Sequence, residues 1–294
     1  MTLWRVIADR IEQVTGDTID PGAPDGVGGG CINRAVRVAG TERDYFVKLN
    51  DAGRLDMFEA EAAGLKEIAR SKTLRVPQPL CWGVDGDSAY LVLEHVAFGR
   101  GGTSSLEALG RGLAAMHRVG RDSFGWDRNN TIGSTPQINT PDRDWMAFWR
   151  DHRLGYQLQL AARNGYGGRL QRDGERLMDA LPALFEGYRP PPSLLHGDLW
   201  SGNYAMDGTG EPVIFDPAVY YGDREADLAM TELFGGFGGR FYAAYREAWP
   251  LEPGYDARKR LYNLYHVLNH ANLFGGGYAA QAQHLIDGLL SELS

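Results

Sequence analysis

The stretch His196-Gly197-Asp198-Leu199-Trp200-Ser201-Gly202-Asn203, followed by Val213-Ile214-Phe215-Asp216-Pro217, decides how the rest of the chain is read. Asp198 and Asn203 stand five positions apart, and Asp216 ends an apolar run thirteen residues after Asn203. Phosphoryl transfer needs a carboxylate beside the attacking hydroxyl and an oxygen ligand for Mg²⁺ beside the phosphates. A loop from Asp198 to Asn203 can supply both. The turn Asp207-Gly208-Thr209-Gly210 lies between the two motifs, so a hairpin would return Asp216 next to Asn203. That makes the oxygen-rich, sparsely liganded site that Mg²⁺ favours. Taken singly, His-Gly-Asp also reads as a turn and Asp216 as a cap; the combination at this spacing is what points to chemistry.

Upstream, Tyr45-Phe46-Val47-Lys48 reads as a half-buried strand ending in a lysine, and Glu61 follows thirteen residues later in a helix predicted over 56–70. Such a lysine neutralises the α- and β-phosphates while a helix glutamate holds it. Without the downstream motifs, both would read as exposed surface charges. Glu59 competes for the role. Glu61 is preferred because Glu61-Ala62-Ala63-Gly64-Leu65 reads as a close-packed face. Gly28, Gly29 and Gly30 precede Cys31, and glycines let the backbone approach phosphate oxygens, although a triple glycine by itself is more often a flexible turn. The chain carries neither GxGxxG at this point nor a Walker A motif, which excludes a P-loop NTPase.

Apolar periodicity extends this reading to the whole chain. Leu3, Ile7, Ile11 and Val14 share one helical face, with Thr2 placed to cap its start. Strands are predicted near 32–38, 44–49, 80–84 and 89–95. After the linker Gly99–Gly102, Ser104-Ser105-Leu106-Glu107 has capping-box spacing. A polar loop covers 121–140, a helix near 142–163 carries an aromatic stripe, and further helices are expected near 168–187, 225–234, 239–248, 256–273 and 277–292. The expected fold is α+β and bilobal. Residues 1–96 form a nucleotide-binding sheet and helix, and residues 97–294 form a mainly helical lobe with the catalytic loop, metal site and substrate pocket.

Composition narrows the function. The 294 residues include 38 acidic and 30 basic side chains, a formal charge of −8. With no Lys/Arg-rich run, this argues against nucleic acid or anionic lipid as a partner. ATP remains compatible, because Mg²⁺ and backbone N–H groups handle its phosphates. Two cysteines, Cys31 and Cys81, cannot staple a chain of this length, so a reducing cytoplasm is the expected setting. No apolar leader or bilayer-spanning run is read, so no membrane partner is expected.

The motifs GGGCINRA (28–35), FEAEAAGL (58–65), FGWDRNNTIGSTPQIN (124–139), HGDLWSGN (196–203), FDPAVYYGDREADLAM (215–230) and LYHVLNHANLFGGGY (264–278) together resemble the fructosamine kinase (ketosamine-3-kinase) family. That family belongs to a wider group with the protein-kinase-like fold that includes aminoglycoside phosphotransferases and choline kinases. The resemblance implies ATP and Mg²⁺ as cofactors, Asp198 as the catalytic base, Asn203 and Asp216 as metal ligands, and Lys48 with Glu61 as the ATP-orienting pair. Backbone groups of Glu94, His95 and Val96 would meet the adenine edge at an interlobe hinge, and Asp227 would fasten the catalytic loop. Asp216-Pro217-Ala218 stands where protein kinases have DFG, and no activation segment follows. The acceptor is therefore expected to be small or side-chain-sized: a free or protein-linked ketosamine phosphorylated on its 3-hydroxyl, in deglycation repair. An aminoglycoside- or choline-type phosphotransferase is the alternative, and a catalytically silent nucleotide-binding regulator is an alternative of another class.

Some residues allow two readings. Trp200 could stack on a sugar or amine, or pack. Asn130, Gln137 and Asn139 could bond sugar hydroxyls, or make turns. His266 and His270 are spaced i, i+4 but lack the Glu of HExxH, and read as a packing face. Some family members carry a cysteine at position 31, so a redox-sensitive disulfide between two copies of Cys31 is conceivable; a small residue in a tight turn is the other reading. Cys81 is expected to be buried and inert. The state is expected to be monomer or homodimer.

Overall fold

The computed structural model describes residues 2–19, 25–27 and 32–293. Five antiparallel strands form the first sheet: β1 (Asp25–Val27), β2 (Arg34–Ala39), β3 (Asp44–Asp51), β4 (Pro79–Asp85) and β5 (Ser88–Glu94), in spatial order β1-β2-β3-β5-β4. Side chains alternate across the pleat. Val36, Val38, Tyr45, Val47, Tyr90 and Val92 form one face and are covered by Ile7 and Ile11 of helix α1 (Leu3–Thr15). Leu91 and Leu93 face the other way, and the register sets Lys48 opposite Leu91 and Phe46 opposite Leu93. Lys48 lies inside β3, not at its end as the sequence suggested, and its main chain is held between β2 and β5.

Helix α2 (Leu55–Ser71) crosses that inner face and buries Phe58, Leu65 and Ile68. The same apolar cluster continues without a break into the second half of the chain. There, α3 (Thr103–His117) buries Leu109, Leu113 and Met116. Its start differs from the sequence reading: Gly102 is the capping position, and Ser105 Oγ accepts the Gly102 N–H at 3.2 Å. Thr2 likewise sits at the cap of α1 without a side-chain hydrogen bond.

The predicted loop 121–140 contains a hairpin, β6 (Asn130–Ile132) and β7 (Thr135–Gln137). The predicted helix 142–163 is α4 (Trp145–Trp149), a π-helical segment (Arg150–Gly155) and α5 (Tyr156–Arg163). The wider π turn brings Arg153, Leu154 and Gly155 all inside. After α6 (Arg169–Leu184) come four short strands: β8 (Ser193–Leu195), β9 (Tyr204–Met206), β10 (Pro212–Ile214) and β11 (Tyr220–Gly222). β9 pairs with β10, and β11 returns to pair with β8. The loop 196–203 and the segment 215–219 are thereby strapped side by side between two ladders. Helices α7 (Glu225–Leu233), α8 (Gly239–Ala248), α9 (Tyr255–Phe274) and α10 (Tyr278–Glu292) complete the fold. None of the described helices is long and apolar enough to cross a membrane.

Candidate active site

Asp227, in the first turn of α7, anchors the loop. Its carboxylate accepts the main-chain N–H groups of His196 (2.7 Å) and Gly197 (2.8 Å) and lies 3.1 Å from His117 Nε2. Burial would raise its pKa, but these partners and the nearby His117 and His196 outweigh that and lower it. His196 Nδ1 accepts the Asp198 N–H, which leaves Nε2–H to donate to Phe215 O at 3.0 Å. Ala218 N–H donates to His196 O at 2.8 Å, and Phe215 N–H to Asn203 O at 3.0 Å. The loop and the Asp216 segment are thus stitched together at both ends. Gly197 has φ +83°, and a Cβ there would lie 2.1 Å from Ala218 O, so only glycine fits.

The expected groups converge. Lys48 Nζ lies 2.7 Å from Glu61 Oε1 and 2.5 Å from Asp216 Oδ1. Burial would strip the proton from Lys48, but Asp216 and Glu61 outweigh it and raise its pKa. Glu61 is the partner, whereas Glu59 faces Arg128 at 4.0 Å. Asn203 Nδ2 donates to Asp198 O at 2.8 Å and to Asp198 Oδ2 at 3.3 Å. Burial, then the charge of Asp216, push the Asp198 carboxyl up to about 7, against the Asn203 hydrogen bond. Trp200 is 38% exposed beside Asp198, with its ring edge toward Phe234. Phe234 continues to His270, and His270 to Phe274 and Tyr278.

Other expectations are corrected. Asn130 and Gln137 do not present their amides to a sugar. Asn130 Nδ2 donates to Val219 O at 2.8 Å, and Gln137 Nε2 donates to Ala218 O at 3.0 Å. Asn139 Nδ2 donates to Asn130 Oδ1, and Tyr265 O–H donates to Gln137 Oε1. All three are buried, so their polar atoms brace the segment after Asp216. At the end of β5, Glu94 N–H donates to Gln78 O and the Glu94 carboxylate binds Arg75 at 2.7 Å, so its side chain turns away while its carbonyl is not engaged by these bonds. Gly28, Gly29, Gly30 and Cys31 lie outside the described residues. Cys81 is buried, and burial pushes its thiol up to about 11. His266 is buried beside Tyr265, and His270 Nδ1–H donates to its carbonyl at 2.8 Å.

Two supporting side chains escaped the sequence reading. His117 continues the 109–113 stripe by one turn, and a histidine in that apolar register was a legible signal. Arg153 is fully buried, 4.1 Å from the centre of the Tyr220 ring, and donates to Ile138 O and Asn139 Oδ1. Nothing local marks it, because its burial depends on the π turn.

A sequence profile described as fructosamine kinase matches residues 3–292. A Synechocystis protein provisionally named a ketoamine kinase is 51% identical over 284 residues, covering 96% of this chain and 95% of its own. A chloroplastic protein-ribulosamine 3-kinase of Arabidopsis thaliana is 47% identical over 271 residues, covering 91% and 82%. A solved Thermobifida fusca protein provisionally named fructosamine-3-kinase superposes with TM-score 0.86 at 36% identity, covering 97% and 98%. More distant aminoglycoside phosphotransferases and a choline kinase share the fold alone.

Proposed function

The chain belongs to the fructosamine kinase family, and from that premise we propose that it transfers the γ-phosphoryl group of ATP to the 3-hydroxyl of a ketosamine. The observation that carries the reading is that Lys48 joins Glu61 and Asp216, while Asn203 joins Asp198 and its carbonyl accepts the N–H of Phe215, next to Asp216.

In this reading Asp198 accepts the proton of the attacking hydroxyl, and its position beside Asn203 orients it. Lys48, steadied by Glu61, holds the α- and β-phosphates. Backbone groups of Glu94, His95 and Val96 meet the adenine edge, and Trp200 forms a wall for the sugar or its amine. The donor set suits Mg²⁺. Asn203 turns its Nδ2 toward Asp198, leaving the amide oxygen for a metal, and Asp216 engages Lys48 through Oδ1, leaving Oδ2. Mg²⁺ held there would neutralise phosphate charge that Lys48 alone cannot. The division into a nucleotide lobe (1–96) and a catalytic lobe (97–294) belongs to the same proposal. Decay of the phosphorylated product would free the amine, which makes the biological role deglycation of free or protein-linked amines.

Incubation of the protein with Mg²⁺, ATP and a panel of fructosyl and ribulosyl amines, aminoglycosides and choline tests this. Phosphorus NMR should show a phosphomonoester on the ketosamine sugar alone. Turnover of an aminoglycoside or choline in preference to every ketosamine would overturn it.

A further inference from the structure

Helix α2 carries Glu61, and besides the apolar residues it buries it presents a contact face spaced by three residues. Glu61 reaches Lys48, which reaches Asp216. One turn on, Gly64 lies against the next part of the same segment: a Cβ there would come within 3.1 Å of Val219 Cγ2 and 3.5 Å of Pro217 Cγ. A further turn on, Glu67 Oε1 accepts Tyr221 O–H at 2.8 Å and Arg121 Nη2–H at 3.0 Å. Residues 61, 64 and 67 therefore track residues 216, 217–219 and 221 rung by rung, as i, i+3 positions on one helix face can.

The third rung is built, not incidental. Tyr221 is buried in β11, and its main chain exchanges both hydrogen bonds with Gly125 of the 121–140 loop. The Arg121 guanidinium lies 4.5 Å over the Tyr221 ring and also pairs with Asp127. Burial, then Glu67, push the Tyr221 phenol up to about 12, so it stays a donor. Charge-assisted hydrogen bonds to a shielded carboxylate are the strong kind. By contrast, the Arg128–Asp56 pair at the start of α2 is exposed on the Asp56 side and holds little.

We propose that Glu67, Tyr221 and Arg121 form a positioning clamp that keeps α2 in register with the Asp216–Tyr221 segment. The clamp acts on the nucleotide through Glu61 and Lys48, so that this pair is assembled without a modified segment or a partner protein. The inference rests on the reading of the Lys48–Asp216 site as an ATP site.

Mg·ATP affinity by calorimetry and steady-state kinetics of Tyr221→Phe, Glu67→Ala and Glu67→Gln test it. Tyr221→Phe and Glu67→Ala should weaken Mg·ATP binding or lower kcat by about 2- to 30-fold, the usual span for a residue that acts through others. KM for the acceptor should stay at the wild-type value, and Glu67→Gln should recover part of the loss. In a Glu61→Ala background the same changes should add nothing further. Amide hydrogen exchange of residues 57–68 in the nucleotide-free protein should quicken in Tyr221→Phe. Losses that multiply with Glu61→Ala, or a lowered Tm with unchanged Mg·ATP affinity and kcat, would overturn the clamp. If Glu67→Ala does not fold, Tyr221→Phe, which removes one oxygen atom, decides alone. A wild type that phosphorylates no ketosamine would defeat the functional reading only; nucleotide affinity and hydrogen exchange would still judge the clamp.

Discussion

Asp216 holds φ +57°, a left-handed backbone that few side chains adopt. Its neighbours fix it there: Phe215 is bonded to Asn203, Ala218 to His196, and the carboxylate to Lys48. Local strain kept by surrounding structure is typical of functional positions. Replacing Asp198 by Asn should lower kcat by about 10²- to 10⁴-fold, the span for loss of a general base, while Mg·ATP affinity stays near wild type. Near-normal turnover in that variant would remove Asp198 from the mechanism. Asp216→Ala should abolish Mg²⁺-dependent turnover outright, since it deletes one of two proposed metal ligands and a partner of Lys48; turnover that persists in EDTA would contradict this. Gly197→Ala should lose activity as well, because its Cβ collides with the Ala218 carbonyl. A crystal structure or NMR spectrum showing an undisturbed loop would refute that.

At the scale of elements, α1 joins the sheet through Asp17, just past its C-terminus. Asp17 Oδ1 accepts Thr41 Oγ1–H and the N–H groups of Thr41 and Glu42, and Oδ2 accepts Tyr45 O–H at 2.8 Å. The Thr41 hydrogen bond first, with those of Tyr45, Glu42 and the Thr41 N–H, against burial, holds the carboxyl at about 2, below its ordinary 3.8. The folded pKa lies below the unfolded one, so the stabilisation is fully present above pH 3.8 and is lost as the pH falls toward 2. Asp17→Asn should therefore be less stable than wild type near neutral pH, and the gap in denaturant midpoint should close across that acid window. A gap independent of pH would assign the loss to packing. The sequence announced α1 by its apolar spacing, but the tie from Asp17 to the β2–β3 turn joins residues more than twenty positions apart, and no local pattern carries it.

Across the whole molecule, the helices behind the site are fastened by buried charge. Arg258 of α9 donates from Nε and Nη2 to the two oxygens of Glu225 in α7, at 2.7 and 3.0 Å. Its guanidinium lies 3.9 Å over the Tyr188 ring. Tyr188 and Tyr262 both donate to Asp223. Arg258→Ala leaves the Glu225 carboxylate buried without its cation and should destabilise the fold by roughly 3–5 kcal/mol. Urea unfolding checks this, and a midpoint within error of wild type would refute it. Glu225 and Asp227 are two positions apart on α7, so the same variant should slacken the catalytic loop.

The sequence by itself placed the four long strands of the first sheet and most of the helices, and singled out Lys48, Glu61, Asp198, Asn203 and Asp216 as a group, but not the short strands β1, β6, β7, β8 and β11 or the π turn. The elements rest on apolar periodicity, which local backbone geometry translates directly into structure; the grouping of the polar residues rests on several motifs read together. Tertiary structure alone decided that Asn130 and Gln137 brace the chain, that Glu94 turns to Arg75, that Arg153 is buried, and that Glu67 meets Tyr221. Those outcomes depend on which distant backbone carbonyl or carboxylate arrives beside a polar side chain. A buried polar group must find such a partner, and only the packed fold says which one.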